Sequence, residues 1–241
     1  MVGPELPSRF LMFASHNRRP SQWARLFAIA ADLLDQVDER TAGYPLRWSF
    51  GGGTAMMLQI GHRESHDVDI FLDDSQVLGF LDPAKAELSF QEAPSSYMGE
   101  GARFQKFAFE GIGEIDFIVA ASLTAVPTTS FFIQDRTVEL ETIPEIVVKK
   151  IVHRGSQAEA RDVFDIAAAA RSHRSEIVEA LRAYPDQVAN ALDRLQALNP
   201  DFVSGTIAQL MILPDYLDLI ATGLTSTIDV LENALDESKQ A

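Results

Sequence analysis

The sequence predicts an α+β protein with an N-terminal mixed-sheet domain, residues 1–142, followed by an all-helical C-terminal domain, residues 143–241. Two observations support this prediction. Before residue 142, segments with the alternating apolar pattern of strands are paired around short turns. After Pro144, the apolar residues follow helical spacing, and prolines separate several of the segments. A chain of 241 residues is long enough for two hydrophobic cores.

The N-terminal half combines helices and strands. A helix is predicted over residues 21–40, with Ser21 as its N-cap, because apolar residues there recur at helical spacing. Residues 74–95 have a mixed pattern that predicts helix only in part. A second, short helix is predicted at 54–60. Single strands are predicted at 46–50 and 68–72, and two hairpins at 103–109 with 114–120 and at 129–133 with 136–141.

The C-terminal half contains six segments with helical spacing. They are residues 145–154, 159–171, 175–184, 186–195, 201–213 and 226–238. No internal repeat, low-complexity tract or long linker interrupts either half.

Composition excludes several classes of function. The absence of cysteine excludes disulfides, thiolate metal sites and cysteine nucleophiles. No apolar run approaches the roughly 20 residues that span a bilayer, and the N-terminus lacks the pattern of a signal peptide, so we expect a cytoplasmic protein without a membrane partner. A net charge of −15 opposes binding to duplex DNA. Residues 149–174, with six Lys/Arg and three acids, favour a local phosphate contact instead.

The segment FGGGTAMMLQIGHRESHDVDIFL, residues 50–72, carries the chemistry. Asp67 and Asp69 lie two apart in a predicted strand, so their side chains point to the same face, where a divalent cation would relieve their repulsion. Gly51–Gly53 lie between a strand and a helix, where backbone N–H groups and the positive helix end can bind an anion. Thr54 adds a hydroxyl. Together these residues predict a site for a nucleoside triphosphate.

Two further features extend this site. Asp116 lies in an otherwise apolar strand, and a buried aspartate needs a cation or hydrogen bonds. In EIVVKKIVHRGSQAEARDVFDI, residues 145–166, Lys150 and Arg154 share a helical stripe, and Asp162 and Asp165 lie three apart on the next. His62 and His66 have the spacing of metal ligands on a helix, but here they flank a loop and are expected at the surface or beside phosphate.

These two segments resemble the AbiEii/AbiGii family of nucleotidyltransferases, toxins of bacterial abortive-infection and type IV toxin–antitoxin systems within the DNA polymerase β-like superfamily. The resemblance implies that the turn at Gly52 and Gly53 holds the triphosphate, and that Asp67 and Asp69 bind Mg²⁺ or Mn²⁺. Arg63 and Ser65 match a motif that could contact phosphate. The matches to the second motif of the family are Lys150, with Lys149 as the alternative, followed by Arg161, Asp162 and Asp165.

The resemblance implies transfer of an NMP from an NTP to an acceptor hydroxyl, with release of pyrophosphate. Asp116 fits a third carboxylate of the superfamily and a third metal ligand; Asp116, Asp162 or Asp165 would assist deprotonation of the acceptor. The implied acceptor is tRNA or protein, and an antitoxin is an implied partner. Two alternatives stay open: a nucleotidyltransferase for small antibiotic-like molecules, and a non-catalytic module that binds an NTP or a partner.

Overall fold

The computed structural model describes residues 20–41 and 44–236, and it confirms the predicted α+β fold class with a helical C-terminal region. The strands are β1 (Trp48–Gly51), β2 (Val68–Leu72), β3 (Ser96–Glu100), β4 (Phe104–Phe109), β5 (Gly113–Val119), β6 (Thr128–Ile133) and β7 (Arg136–Glu141). The helices are α1 (Trp23–Thr41), α2 (Gly52–Ile60), α3 (Ile143–Arg154), α4 (Ala160–Leu181), α5 (Pro185–Gln196), α6 (Pro200–Ile207) and α7 (Leu219–Leu235).

The seven strands form one mixed sheet in the order β3-β4-β5-β2-β1-β7-β6. Strand β4 is antiparallel to both of its neighbours, β3 and β5, whereas β2 and β5 are parallel. The strands form where the sequence alternates: every second residue of β2 and of β4 is buried, and the residues between are partly exposed. The turn between β6 and β7 places Gln134 and Asp135 at φ 48° and 63°, the left-handed region that two-residue hairpin turns require.

The chain forms two compact units. The first contains the described residues up to Phe50 together with 65–119 and 130–139, and the second contains 51–64, 120–129 and the described residues from Leu140 onward. In the first unit, α1 packs against β2 and β5, and its Phe27 ring stacks on Phe50 with the centroids 5.1 Å apart. In the second unit, α4 packs against α3, α6 and α7. The domain boundary near residue 142 stays a prediction.

Several predicted elements need correction. The predicted break between the segments 159–171 and 175–184 is confirmed, because α4 is kinked at His173, whose φ of −129° and ψ of 24° are not helical. The helix predicted over 201–213 ends at Ile207. Within 74–95 the helical part is a single 3₁₀ helix, Ser75–Phe80, and β3 was not predicted. In the described parts of the chain, no helix combines the length and the apolar character needed to cross a membrane.

Candidate active site

The first unit contains a row of charged side chains across three neighbouring strands. Asp69 of β2 pairs in register with Asp116 of β5, and Asp116 pairs in register with Lys106 of β4. Residues paired in this way point to the same face of a sheet, so the three side chains lie side by side. Asp67 directly precedes β2, two residues before Asp69. The structure therefore brings together the three aspartates of the first unit that the sequence singled out.

Asp67 is fixed by the backbone of β5. Its Oδ1 accepts a hydrogen bond from the backbone N–H of Glu114 at 3.0 Å. The neighbouring Gly113 has φ 145°, and a Cβ there would lie 3.1 Å from the carbonyl oxygen of His66 and 3.2 Å from Asp67 Oδ1. A glycine at this position lets β5 approach the carboxylate closely enough for the bond.

Lys106 is a residue of this site that the sequence reasoning missed. Its Nζ lies 2.5 Å from Glu114 Oε2 and 3.2 Å from Asp116 Oδ2. Burial lowers the pKa of Lys106, but the two carboxylates outweigh it and raise that pKa above its ordinary value, so the side chain is an ammonium. Burial raises the pKa of Asp116, and Lys106 offsets only part of this effect. A lysine inside the apolar alternation of β4 was the available sequence signal.

The carboxylates of Asp67 and Asp69 suit a hard divalent ion. Mg²⁺ takes oxygen ligands and is commonly held by one or two carboxylates together with substrate phosphates. Among the residues that the structure describes, no three His, Cys, Asp or Glu side chains are arranged to hold a metal ion. Asp116 instead contacts Lys106 Nζ at 3.2 Å. A two-carboxylate donor set fits an ion that arrives with a triphosphate.

The glycine turn lies in the second unit and begins α2. Gly52 is the first residue of the helix and has φ 68°, a conformation that favours glycine. The N-cap residue of α2 is Gly51, which has no side chain to cap the helix. Its first backbone N–H groups and the positive end of its dipole can therefore bind an anion. Gly53 and Thr54 follow within the helix, and Thr54 is fully buried.

A second charged cluster surrounds Asp165 in α4. Its carboxylate contacts Arg63 through Nε at 2.7 Å and Nη2 at 3.0 Å, Lys150 Nζ at 3.0 Å, and His62 Nε2 at 3.0 Å. Burial alone would raise the pKa of Asp165, but Arg63, Lys150 and His62 hold it well below its ordinary value. This carboxylate has cationic or N–H partners on both oxygens, so it is poorly suited to accept a proton.

Lys150 lies between two carboxylates of this cluster. Its Nζ is 2.9 Å from Asp162 Oδ1 as well as 3.0 Å from Asp165 Oδ2, and together these carboxylates outweigh the effect of burial and raise its pKa. Asp162 also accepts the backbone N–H of Glu159 at 3.3 Å, and its Oδ2 lies 3.3 Å from Arg154 Nη2. Despite burial, Lys150 and Arg154 lower the pKa of Asp162.

The other predicted phosphate contacts have structural partners. Lys149 Nζ lies 2.6 Å from Glu141 and 3.5 Å from Glu145, away from the carboxylates that bind Lys150. Ser65 is buried, and its carbonyl accepts the hydroxyl of Ser21 at 2.5 Å. Arg154 and Arg161 are both exposed, and Arg154 Nη2 lies 3.3 Å from Asp162 Oδ2.

His62 corrects a prediction. We expected it at the surface or beside phosphate, yet it is fully buried, with its ring stacked on Phe164 at a centroid distance of 5.9 Å. Burial lowers its pKa, and Asp165 offsets this only in part. Because a carboxylate only accepts, Nε2 carries the proton of the neutral ring, and the buried Nδ1 has no hydrogen-bond partner among the described residues.

A groove of about 500 Å³ lies next to Asp67 in the first unit. Its lining includes His66, which directly precedes Asp67, and Glu114, whose backbone binds it. Ser95, Glu110 and Ile112 contribute further polar and apolar surface.

Comparison with known proteins identifies a family. The sequence profile described as nucleotidyl transferase AbiEii toxin, type IV TA system, matches residues 38–229, which is more than half of the chain. This match confirms the resemblance that the two sequence motifs predicted. No curated protein sequence is significantly similar to the chain.

Solved structures give more distant likenesses. The antibiotic-resistance factor ANT(2'')-Ia has 17% identity and a TM-score of 0.46, with 73% of this chain and 98% of that chain covered. An antigenic nucleotidyltransferase-like protein from Paracoccidioides brasiliensis has 13% identity and a TM-score of 0.42, with coverages of 83% and 99%. The CD-NTase CdnG from Bradyrhizobium diazoefficiens, in complex with GTP, has 12% identity and a TM-score of 0.35, with coverages of 90% and 86%. The TM-scores are below 0.5, so the family assignment rests on the sequence match.

Proposed function

Since the chain belongs to the AbiEii family of nucleotidyltransferase toxins, we propose that it transfers an NMP from an NTP to an acceptor hydroxyl in a reaction that depends on Mg²⁺ or Mn²⁺. The observation that carries the proposal is the arrangement of three aspartates. Asp69 of β2 pairs in register with Asp116 of β5, and Asp67 lies two residues before Asp69. Asp67 and Asp69 carry like charges two residues apart, and a divalent ion with a triphosphate is the class of ligand that this charge suits. The cytoplasm remains the predicted location.

Asp67 and Asp69 would hold the metal ion. When bound, the ion supplies charge stabilisation to the α-phosphate and the leaving pyrophosphate. The acceptor oxygen forms a bond to the α-phosphorus, the bond from that phosphorus to the bridging oxygen of the β-phosphate breaks, and pyrophosphate leaves. Asp116 is the best suited of the three predicted bases to take the acceptor proton, because burial raises its pKa despite Lys106, whereas the cations of their cluster lower the pKa values of Asp162 and Asp165.

Gly52, Gly53, Thr54 and Lys150 would bind the triphosphate. The uncapped start of α2 supports this role for the turn, and the ammonium of Lys150 supplies the positive charge. Arg154, which is exposed, is the second cation suited to phosphate. Arg63, Ser65 and Lys149 also have close protein partners, as Lys150 does, and their contact with phosphate is proposed only from the family motif.

The acceptor is proposed to be a tRNA end or a protein hydroxyl, as the toxin family implies, with an antitoxin as the partner that restrains the activity. A small cationic acceptor is the second candidate. The groove beside Asp67 favours this candidate, because the carboxylates of Glu110 and Glu114 line it and would repel the phosphates of RNA.

The proposal is tested with each labelled NTP, Mg²⁺ and a cell extract that contains RNA, protein and small molecules. We expect label to enter one of these fractions with the wild-type protein and to be absent with Asp69→Asn, a substitution that keeps the shape of the side chain and removes its charge. Circular dichroism and thermal unfolding of the variant provide the control for folding. Transfer that continues unchanged with Asp69→Asn, or in EDTA, would refute the proposed role of the carboxylate pair.

A further inference from the structure

Lys106 lies beside Asp116, the third carboxylate of the row, on the side away from Asp69. It is the direct register partner of Asp116, so the two Cα atoms face each other across β4 and β5 and both side chains point to the same face. The Nζ–Oδ2 distance of 3.2 Å is that of an ion pair. Asp116 therefore has a strand neighbour of each sign, Asp69 on one side and Lys106 on the other.

Glu114 holds Lys106 from a second direction. Its Oε2 lies 2.5 Å from Nζ, while its backbone N–H binds Asp67. One residue of β5 thus contacts both the first carboxylate of the pair and the lysine. Lys106 therefore has two carboxylate partners, and its side chain can move away from Asp116 only when both charge-assisted contacts are broken.

We propose that Lys106 is a positioning residue that keeps Asp116 out of the metal coordination shell, so that the resting protein presents a two-carboxylate site formed by Asp67 and Asp69. This inference rests on the proposed function. The ammonium neutralises the third carboxylate and also repels an approaching cation. The protein therefore binds a free divalent ion weakly, and it binds the ion tightly only when the ion is coordinated by the triphosphate.

The inference predicts how metal affinity responds to each charge. Asp116→Asn removes one negative charge near the site, so it should weaken Mn²⁺ binding by about tenfold at most, whereas Asp69→Asn, which removes a ligand, should weaken it far more. Lys106→Met should bind Mn²⁺ about tenfold more tightly, the order expected when one positive charge is removed a few ångströms from a cation at a partly solvated site. In the double variant Lys106→Met/Asp116→Asn the gain should disappear.

Mn²⁺ binding is measured by electron paramagnetic resonance titration of metal-stripped protein without NTP, so the readout does not depend on activity. Lys106→Arg keeps the charge and should retain wild-type affinity. Lys85→Met is the matched control, since Lys85 pairs with Asp82 at 2.8 Å on the surface of the same unit. If Lys106→Met does not fold, Lys106→Gln replaces it with the same expectation.

The outcomes separate the inference from the function on which it rests. The inference is overturned if Asp116→Asn weakens Mn²⁺ binding as much as Asp69→Asn does, or if Lys106→Met binds with wild-type affinity. If Asp69→Asn binds Mn²⁺ as tightly as wild type, the metal assignment of the proposed function fails instead.

Discussion

The ammonium of Lys150 lies 3.0 Å from the carboxylate of Asp165, in a cluster where both side chains are nearly excluded from solvent. Asp162 contacts the same ammonium, and Arg63 and His62 contact the same carboxylate. The charges are therefore compensated within the second unit, and any substitution that removes one of them leaves a buried charge with fewer partners.

Comparison of substitutions at Lys149 and at Lys150 should separate the effect on stability from the effect on catalysis. Both Lys149→Met and Lys150→Met break buried ion pairs, so each should lower the free energy of unfolding by about 3 kcal/mol in urea titrations. Only Lys150→Met should abolish NMP transfer per folded molecule, because Lys150 contacts Asp162 and Asp165 of the second family motif, whereas Lys149 contacts Glu141 and Glu145, which have no proposed part in the reaction. Loss of transfer with Lys149→Met and retention with Lys150→Met would reverse the assignment.

The stability of the protein should depend on pH through His62. Its folded-state pKa is lowered, so the unfolded chain binds a proton that the buried ring does not. The contribution of His62 to stability is therefore complete above the unfolded pKa of about 6.5 and is lost as pH falls through that value toward the folded pKa. We expect this residue to contribute a decline of up to about 1.4 kcal/mol per pH unit below pH 6.5.

His62→Gln is the variant that tests this dependence, since the Gln amide can still donate to Asp165. Urea unfolding at pH 7.5 and pH 5.5 should show a smaller difference for His62→Gln than for wild type. His153→Gln is the comparison, because the pKa of His153 is also lowered but the residue is exposed. Equal pH dependence in wild type and His62→Gln would contradict the expectation.

Substitutions in the glycine turn should show whether the positive φ of Gly52 is required for stability and for NTP binding. Gly52→Ala places a Cβ on a residue with φ 68°, which should cost about 1 kcal/mol in the free energy of unfolding and displace the N–H groups at the start of α2. We therefore expect a higher KM for the NTP. Gly53, which follows inside the helix, is not among the described glycines with positive φ.

Gly53→Ala is the matched control for this turn. Alanine has a higher helix propensity than glycine by about 1 kcal/mol, so this variant should be at least as stable as wild type. The rise in KM should be smaller than with Gly52→Ala. Steady-state kinetics and thermal unfolding of the two proteins provide the comparison, and an equal loss of stability in both would argue against strain at Gly52.

Local patterns were sufficient to predict much of the fold. The strand Val68–Leu72 was predicted with its bounds, because its apolar residues alternate and its ends are marked by polar residues. The β4–β5 hairpin was predicted within two residues at each end for the same reason. The edge strand β3 was missed because all five of its residues are exposed, so it has no apolar alternation. Its strand geometry depends on pairing with β4, which is a property of the sheet.

The site residues were predicted as separate motifs, but their contacts were not. Asp67, Asp69 and Asp116 were identified from residue type and spacing, whereas the position of Lys106 beside Asp116 depends on the register of two strands. The buried position of His62 likewise depends on Asp165, which is 103 residues away in the sequence. Sequence spacing carries no information about contacts over that distance.

The hydrogen bond that fixes Asp67 comes from the main chain of residue 114, so the identity of that side chain does not determine it. Nineteen of the twenty amino acids supply the same N–H, and only proline lacks it. The geometry of the first carboxylate can therefore persist through sequence drift at position 114, while the neighbouring glycine at 113 has little freedom to change.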